Sequence, residues 1–441
     1  MLTREARALR SRGPMPEEAV MAVLAHDLTG AGMIQERVRG QLFPEVFRDL
    51  ASVEALWRSV ESDPAALATP YQRFDWASAF VAAKLGCTAS EQDKSLRIVV
   101  LRDAGGRPRV ILPLQVARER GVRVARVIGC KHANYHMPMF ASREAASMRA
   151  EDLVEILRRI GREAGIDVYL LGHQPRFWDG AANPLSLRAA PAASDAYGLI
   201  LGPDPDTTAK RVFSADARKK MRSKEKKLIE AFGPVEYRVA STVEEVTSYL
   251  SAFFAQKASR FAAMDIANPY ADEAIRRFIA AGACRHDDPS EVRGAAIEVS
   301  ALVACNSGRV FATFAGAVSD VRYSGMMTSF DQDPVVGRSS PGDILLHHLI
   351  RDQTERGRRS FDLGVGEARY KANICDETIQ LGEVTIAVTL RGHLFAIPAI
   401  AATRLKRRIK RSERLARLAK AVQKAVRRST RQGQTAGEIK I

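Results

Sequence analysis

The sequence predicts an α/β protein built in two successive halves, each a mixed, mostly antiparallel sheet flanked by helices. Three observations carry this. β-branched runs come in pairs joined by turn residues, as at 96–101 and 109–114 around Asp103, Ala104, Gly105 and Gly106, which is a hairpin signal. Apolar spacing then changes to the helical period over 151–163, before a short strand at 167–171. The same order returns later, with strands at 295–303, 310–318 and 321–330, a helix at 343–355 and a strand at 360–364.

Composition sets the outer bounds. A chain of 441 residues with 46% hydrophobic content can bury a large core and suggests two or three domains. The formal net charge of +16 points to anionic partners. Most of the excess lies in 404–431, where Glu413 is the only acid, so charge describes the tail rather than the body. Five scattered cysteines without a C-x-x-C pair speak against a disulfide framework or a zinc site and for a reducing cytoplasm. The charged first residues lack the apolar stretch of a secretory signal. No apolar run approaches the ~18 residues of a membrane span, since the best candidate, 393–402, is short and holds Pro398.

In chain order, residues 1–40 read as a flexible leader. A first half follows over 41–205, with amphipathic helices at 53–60 and from Thr69 to about residue 85. Pro70 marks the start of the second helix, and Tyr71, Phe74 and Trp76 read as core. Strands are expected at 96–101, 109–114, 122–128 and 167–171. The second half, 206–392, opens on a helix over 212–232 that places Phe213, Ala217, Met221, Lys224 and Leu228 on one strip within a dense basic surface. That surface is either a solvated face or a wall that attracts phosphates. Helices at 242–264 and 270–281 precede the second hairpin, and a last strand covers 381–390. The remainder, 393–441, is a basic amphipathic tail in which Leu415, Leu418 and Val422 recur at helical spacing. Such a tail suits an anionic membrane surface or a protein partner. Specific nucleic-acid binding is not expected, because no aromatic platform accompanies the charge.

Chemistry concentrates in 336–371. Gly337, Arg338, Ser339, Ser340, Pro341 and Gly342 lead into a helix start, where free backbone N–H groups and the helix dipole favour a pyrophosphate. His132 and His136 have helical spacing, but their surroundings read as loop, so a metal pair is not expected. His347 and His348 read as helix positions, Cys284 and Cys375 lack partners for nucleophilic work, and Gly364-Val365-Gly366 is too short for a dinucleotide fingerprint.

Several of these pieces together resemble the CelD/BcsL-type acetyltransferases of the GNAT superfamily, which are similar to the FemAB-type transferases with two GNAT-like halves. The resemblance runs from about Phe47 onward. It is carried by residues 71–76, Asn134-Tyr135-His136-Met137-Pro138, the basic stretch from Phe213 to Arg260, Ser340-Pro341-Gly342, Phe361-Asp362-Leu363-Gly364 and Tyr370-Lys371. It implies tandem GNAT-like halves and acyl transfer from acetyl-CoA or another acyl-CoA, without a metal. The implied acceptor is a small molecule or glycan precursor, often through an amino group, in envelope or exopolysaccharide metabolism. Such chemistry needs a base for the attacking amine and an acid for the leaving thiolate. Tyr370 is the candidate acid and Asp362 or Glu367 the base. Gly337, Arg338, Ser339, Ser340 and Gly342 would hold the coenzyme, and Asn134, Tyr135, His136 and Lys371 would line the acceptor cleft. The loop departs from the usual GNAT spacing: counted from Arg338, the first glycine position holds Pro341, which has no N–H, and Asp343 adds negative charge. Two other readings stay open, a noncatalytic scaffold of polysaccharide machinery and transfer from aminoacyl-tRNA. The expected location is the cytoplasm, with peripheral contact at the inner membrane face.

Overall fold

The structure is a computed structural model that describes residues 41–411, and every count below refers to these. The expected leader, 1–40, and the part of the expected tail after 411 lie outside them. The expectation of an α/β architecture with mostly antiparallel sheets flanked by helices holds. Strands β1 (Phe43–Phe47), β2 (Leu96–Arg102), β3 (Pro108–Glu119), β4 (Val122–Val127) and β5 (Val168–Pro175) supply most of the first sheet. Strands β7 (Val235–Val239), β8 (Ile297–Ala304), β9 (Val310–Val318), β10 (Arg322–Phe330) and β11 (Ser360–Val365) supply most of the second. Between these sets runs β6 (Ala196–Ile200), and β12 (Glu377–Ile379) and β13 (Leu381–Ala387) end the series.

Strand order shows a reciprocal exchange. The first sheet reads β1-β2-β3-β4-β5-β13, and the short piece Ala190–Pro191 follows β13. The second reads β7-β8-β9-β10-β11-β6-β12. Thus β6, which follows the first set in sequence, completes the second sheet, and β13, which follows the second set, completes the first. Each sheet has one parallel pair, β4 with β5 and β10 with β11, and the other pairings are antiparallel. A parallel neighbour needs a crossover, and a helix makes it each time. Those helices are Ala150–Ala164, here α3, and Pro341–Glu355, here α9.

The remaining helices pack on these sheets. Besides the short pieces Ala89–Asp93 and Arg143–Ala146, they are α1 (Glu54–Glu61), α2 (Phe74–Lys84), α4 (Pro205–Val212), α5 (Ala215–Phe232), α6 (Val243–Ala263), α7 (Glu273–Gly282), α8 (Pro334–Arg338), α10 (Arg369–Ile374) and α11 (Leu390–Arg411). The helix expected over 212–232 begins at Ala215, because Ser214 caps it through the Ala217 N–H, and the preceding helix α4 ends at Val212. Met221 and Leu228 on α5 are buried, as the strip predicted, and so is Phe213 just before it.

One core runs through both sets of strands. Trp76 on α2 meets Phe278 on α7 edge to face at 5.1 Å, and Phe80 joins them. The turn Pro70–Gln72, closed by a capping box between Thr69 and Gln72, ends at Arg73, whose extended backbone separates it from α2. Arg73 then donates to the carbonyls of Gly294, Ala295 and Val318 at the rim of the second sheet. This fixes the turn where the two sheets meet and brings Tyr71 to β10.

Candidate functional site

Strands β10 and β11 pair in parallel over three positions, Arg322 with Ser360, Tyr323 with Phe361 and Ser324 with Asp362. Beyond Ser324 the link is a side chain from the connection between β4 and β5. Asn134 Nδ2 donates to the Gly325 carbonyl of β10 at 2.9 Å, and Asn134 Oδ1 accepts from the Val365 N–H of β11 at 3.5 Å. The approach requires glycine at 364. Its φ is +71°, and a Cβ there would stand 2.7 Å from Asn134 Nδ2.

Asp362 lies at the bottom of this junction, fully buried. Its Oδ1 accepts from Ser324 Oγ at 2.9 Å and from the Gly364 N–H at 3.0 Å. Since the Ser324 proton points at the carboxylate, Ser324 Oγ accepts from Tyr71 OH, 2.9 Å away. Tyr71 OH in turn accepts from Asn134 Nδ2 at 2.7 Å. The donors therefore run one way, Asn134 to Tyr71 to Ser324 to Asp362, and the carboxylate ends the series. Burial raises the Tyr71 phenol well above its usual range, so it stays a donor.

The second oxygen, Asp362 Oδ2, makes no hydrogen bond among the described residues. Arg322 Nη1 stands 3.7 Å from it, also buried and also without a hydrogen bond. The Tyr135 hydroxyl lies against the same carboxylate without closing a bond of normal geometry. Burial pushes the Asp362 pKa up to about 6, against the pull of Arg322 and its hydrogen bonds. Arg322 packs over Trp178 at 4.2 Å, and Trp178 packs on Tyr135 at 4.9 Å. The guanidinium also has Asp179 at 3.7 Å and Glu377 at 3.9 Å, with side chains 38% and 37% exposed, so this side of the cluster reaches solvent. Orphaned buried polar groups are costly, and their concentration here makes the cluster a candidate functional site.

Of the residues singled out in the sequence, Asn134, Tyr135 and Asp362 converge here. Lys371 joins them at the end of β11, buried, with Nζ donating to the Gly364 carbonyl at 3.1 Å. Glu367 is exposed, and no hydrogen bond or ion pair links it to the cluster among the described residues. Tyr370 falls in α10, and its side chain lies outside the described part of the structure. His136 turns the other way. Its Nδ1 meets the Gly172 carbonyl at 3.0 Å, and it stacks on His173 at 5.7 Å beneath α11. Tyr71, Ser324, Arg322 and Trp178 were missed, and only the T-P-Y-Q capping box hinted at a fixed place for Tyr71.

The loop expected to cradle a pyrophosphate is closed on itself. Gly337 and Arg338 end α8, and the N–H groups of Gly337, Ser339, Ser340, Asp343 and Ile344 donate to carbonyls at 333, 336, 337, 340 and 340. Ser340 takes a left-handed conformation (φ 48°), and its hydroxyl accepts from Lys224 Nζ at 2.7 Å. Pro341 opens α9 with no N–H. The amides of Gly337, Ser339 and Ser340 thus serve the turn and are not free for a pyrophosphate in this arrangement. Charge is nonetheless near: Lys219, Arg222 and Lys227 are exposed on α5, which packs on α9. Among the described residues no group of three or more His, Cys, Asp or Glu is placed to hold a metal.

A model of the acetyltransferase (GNAT) domain family matches residues 215–372, which include Arg322, Ser324, Asp362 and Lys371. No curated protein sequence matches the chain. Among solved structures, FemX is similar with 10% identity and a TM-score of 0.51, over 80% of this chain and 99% of that one. The C-terminal domain of a putative lysylphosphatidylglycerol synthetase from Agrobacterium fabrum has 12% identity and a TM-score of 0.46, over 79% and 95%. A tandem GNAT protein of the clavulanic acid biosynthesis pathway has 11% identity and a TM-score of 0.39, over 79% and 99%. At such identities the likeness speaks to fold alone. The chain shares its fold with FemX, and the stretch matching the acetyltransferase (GNAT) domain, 215–372, carries the buried carboxylate.

Proposed function

We propose that this protein is an acyltransferase that moves an acyl group from a coenzyme A thioester to an amino group, with Asp362 as the general base. The observation that carries the reading is the state of that carboxylate. It is fully buried, its pKa is pushed up to about 6, and Oδ2 has no hydrogen bond among the described residues. A base poised near the working pH accepts a proton most effectively. Oδ2 would take the proton of the attacking amine, while Ser324, backed by Tyr71 and Asn134, holds Oδ1 in place. Arg322 stabilises the charged form before the proton arrives. The partly exposed carboxylates of Asp179 and Glu377 around Arg322 draw a cationic acceptor, which favours an amine over a hydroxyl.

The resemblance of 71–76, 134–138 and 361–364 to CelD/BcsL-type enzymes supports a glycan precursor of envelope or exopolysaccharide metabolism as acceptor, met in the cytoplasm. A second reading, transfer from an aminoacyl-tRNA, is favoured by the closed 337–342 loop and the exposed cations of α5, which suit a polyanion. Calorimetric titration with acetyl-CoA, with desulfo-CoA and ATP as controls, separates the two. Saturable binding specific to the coenzyme is expected. Failure to bind it, together with transfer dependent on charged tRNA, would replace the first reading with the second, and neither activity would leave a noncatalytic scaffold.

A further inference from the structure

Helix α11 buries one side and leaves the other bare. Gly392, Ala396, Ala399, Ile400 and Thr403 face the first sheet, where Ala396 joins Val122, Val124 and Val168 in a small core. On the opposite side Leu390, Leu394, Ile397, Ala401 and Leu405 are exposed; the four large residues are between 57% and 76% exposed. At 100° per residue these positions fall within an arc of roughly 80°. Arg391, Arg404 and Arg408 lie on or beside the stripe and are exposed. No helix among the described residues is long and apolar enough to cross a membrane, so this face is a surface and not a span.

A second observation lies underneath. A cavity of about 660 Å³ opens between α11 and the first sheet. Arg126, Lys131, Arg404, Lys406 and Arg407 line it, with the Arg407 Nε free of hydrogen bonds among the described residues. Buried His136 is part of the wall, its Nε2 facing the Cys130 carbonyl without closing a hydrogen bond. Glu383 is the one acid of the lining, and burial raises its pKa, which weakens its charge there. Ile400 and Arg404 belong both to this cavity and to the outer groove containing Ile397, Ala401 and Leu405. An apolar stripe is therefore continuous with a cationic pocket.

We infer that α11 seats the protein on an anionic lipid bilayer, the stripe entering the acyl boundary and a lipid phosphate lodging at the rim of the cavity beneath. Amphipathic helices with this division of faces lie in the membrane interface, and each nearby Lys or Arg adds attraction to an anionic leaflet. Charge decides against the other occupants. A second copy would set Arg404 and Arg408 against their own kind, and residues 412–441 would bring Arg414, Arg417, Lys420 and Lys424 onto the same face. The inference does not rest on acyl transfer.

Flotation of the full-length protein with phosphatidylcholine vesicles, with and without phosphatidylglycerol, tests it. Binding is expected only with phosphatidylglycerol and should weaken with salt. The double variants Leu394→Glu/Leu405→Glu and Arg404→Glu/Arg407→Glu should each lower affinity by at least about tenfold, with circular dichroism and melting unchanged for the first, whose sites are exposed. Absence of binding by the wild type would overturn the inference, as would equal binding to neutral vesicles. Full binding by the Leu394/Leu405 variant would place the contact outside α11 and overturn it equally. Sedimentation velocity supplies the remaining outcome: a dimer that the Leu394/Leu405 variant dissociates would assign the stripe to a second copy.

Discussion

Replacing Asp362 with asparagine separates charge from shape. The amide oxygen can still accept from Ser324 and Gly364, and the amide nitrogen takes the place of Oδ2, which has no hydrogen bond among the described residues. The titration is lost, and with it the charge that faces Arg322. In the wild type the carboxyl moves from 3.8 to about 6 on folding, a difference of about 3 kcal/mol at 1.36 kcal/mol per unit. Because the folded value is the higher, the contribution is fully present below pH 3.8 and is lost as pH rises through 6. Between pH 5 and pH 7 that loss amounts to roughly 1 kcal/mol. Urea unfolding at the two pH values should show the decline in the wild type and a smaller one, by about that amount, in Asp362→Asn. Other titrating groups are common to both proteins and cancel in the difference. In the acyl-transfer assay kcat/KM of the wild type should rise through an apparent pKa near 6, and the variant should lose about 10²–10⁴-fold. Equal pH slopes of stability would refute the buried-carboxylate argument. An activity within threefold of wild type would remove Asp362 from catalysis even if the slopes differ.

Arg322→Met removes the cation whose attraction lowers the Asp362 pKa, so the acidic limb of the wild-type pH–rate profile should move to higher pH; a limb that stays or moves down would show that Arg322 does not act on this group. Asn134→Ala removes the bridge between β10 and β11 and leaves the Gly325 carbonyl and Val365 N–H without it, a loss of about 1–3 kcal/mol in urea unfolding; a change below about 0.5 kcal/mol would contradict the bridge. Gly392→Ala drives a Cβ into the Asp167 carbonyl, so α11 should lift at its start and limited proteolysis near Thr389 should accelerate; unchanged cleavage would show the contact to be yielding.

Much of the regular structure was legible because periodicity is local. The hairpin of β9 and β10, the crossover helix α9 and the strand β11 appear within a residue or two of their expected bounds. The site was legible only in pieces. Asn134, Tyr135 and Asp362 were singled out through the family resemblance, yet their meeting depends on the turn carrying Tyr71. That residue is buried, as a core reading expects, and the sequence does not reveal that its hydroxyl serves Ser324. Arg322 opens a strand, where a single charge carries no period to mark it as buried. The glycine- and serine-rich loop misled for a definite reason. Composition permits exposed amides, but their direction follows from the left-handed Ser340 and the short helix α8, which fold them inward.

The exchange of β6 and β13 bears on how the chain emerges from the ribosome. Strand β5 pairs with β4 early, but its other edge has no partner until β13 arrives, where Val384 meets Leu171 and Ile386 meets Tyr169. During synthesis the first sheet therefore carries an open edge while the whole second set of strands is made, and β6 waits for β11 in the same way. Open edges recruit foreign strands, and distant pairings form slowly. A nascent chain of this design needs shelter at residues 168–175 until nearly the last strand is in place, and premature termination before 381 leaves a product whose first sheet is unfinished and prone to aggregate.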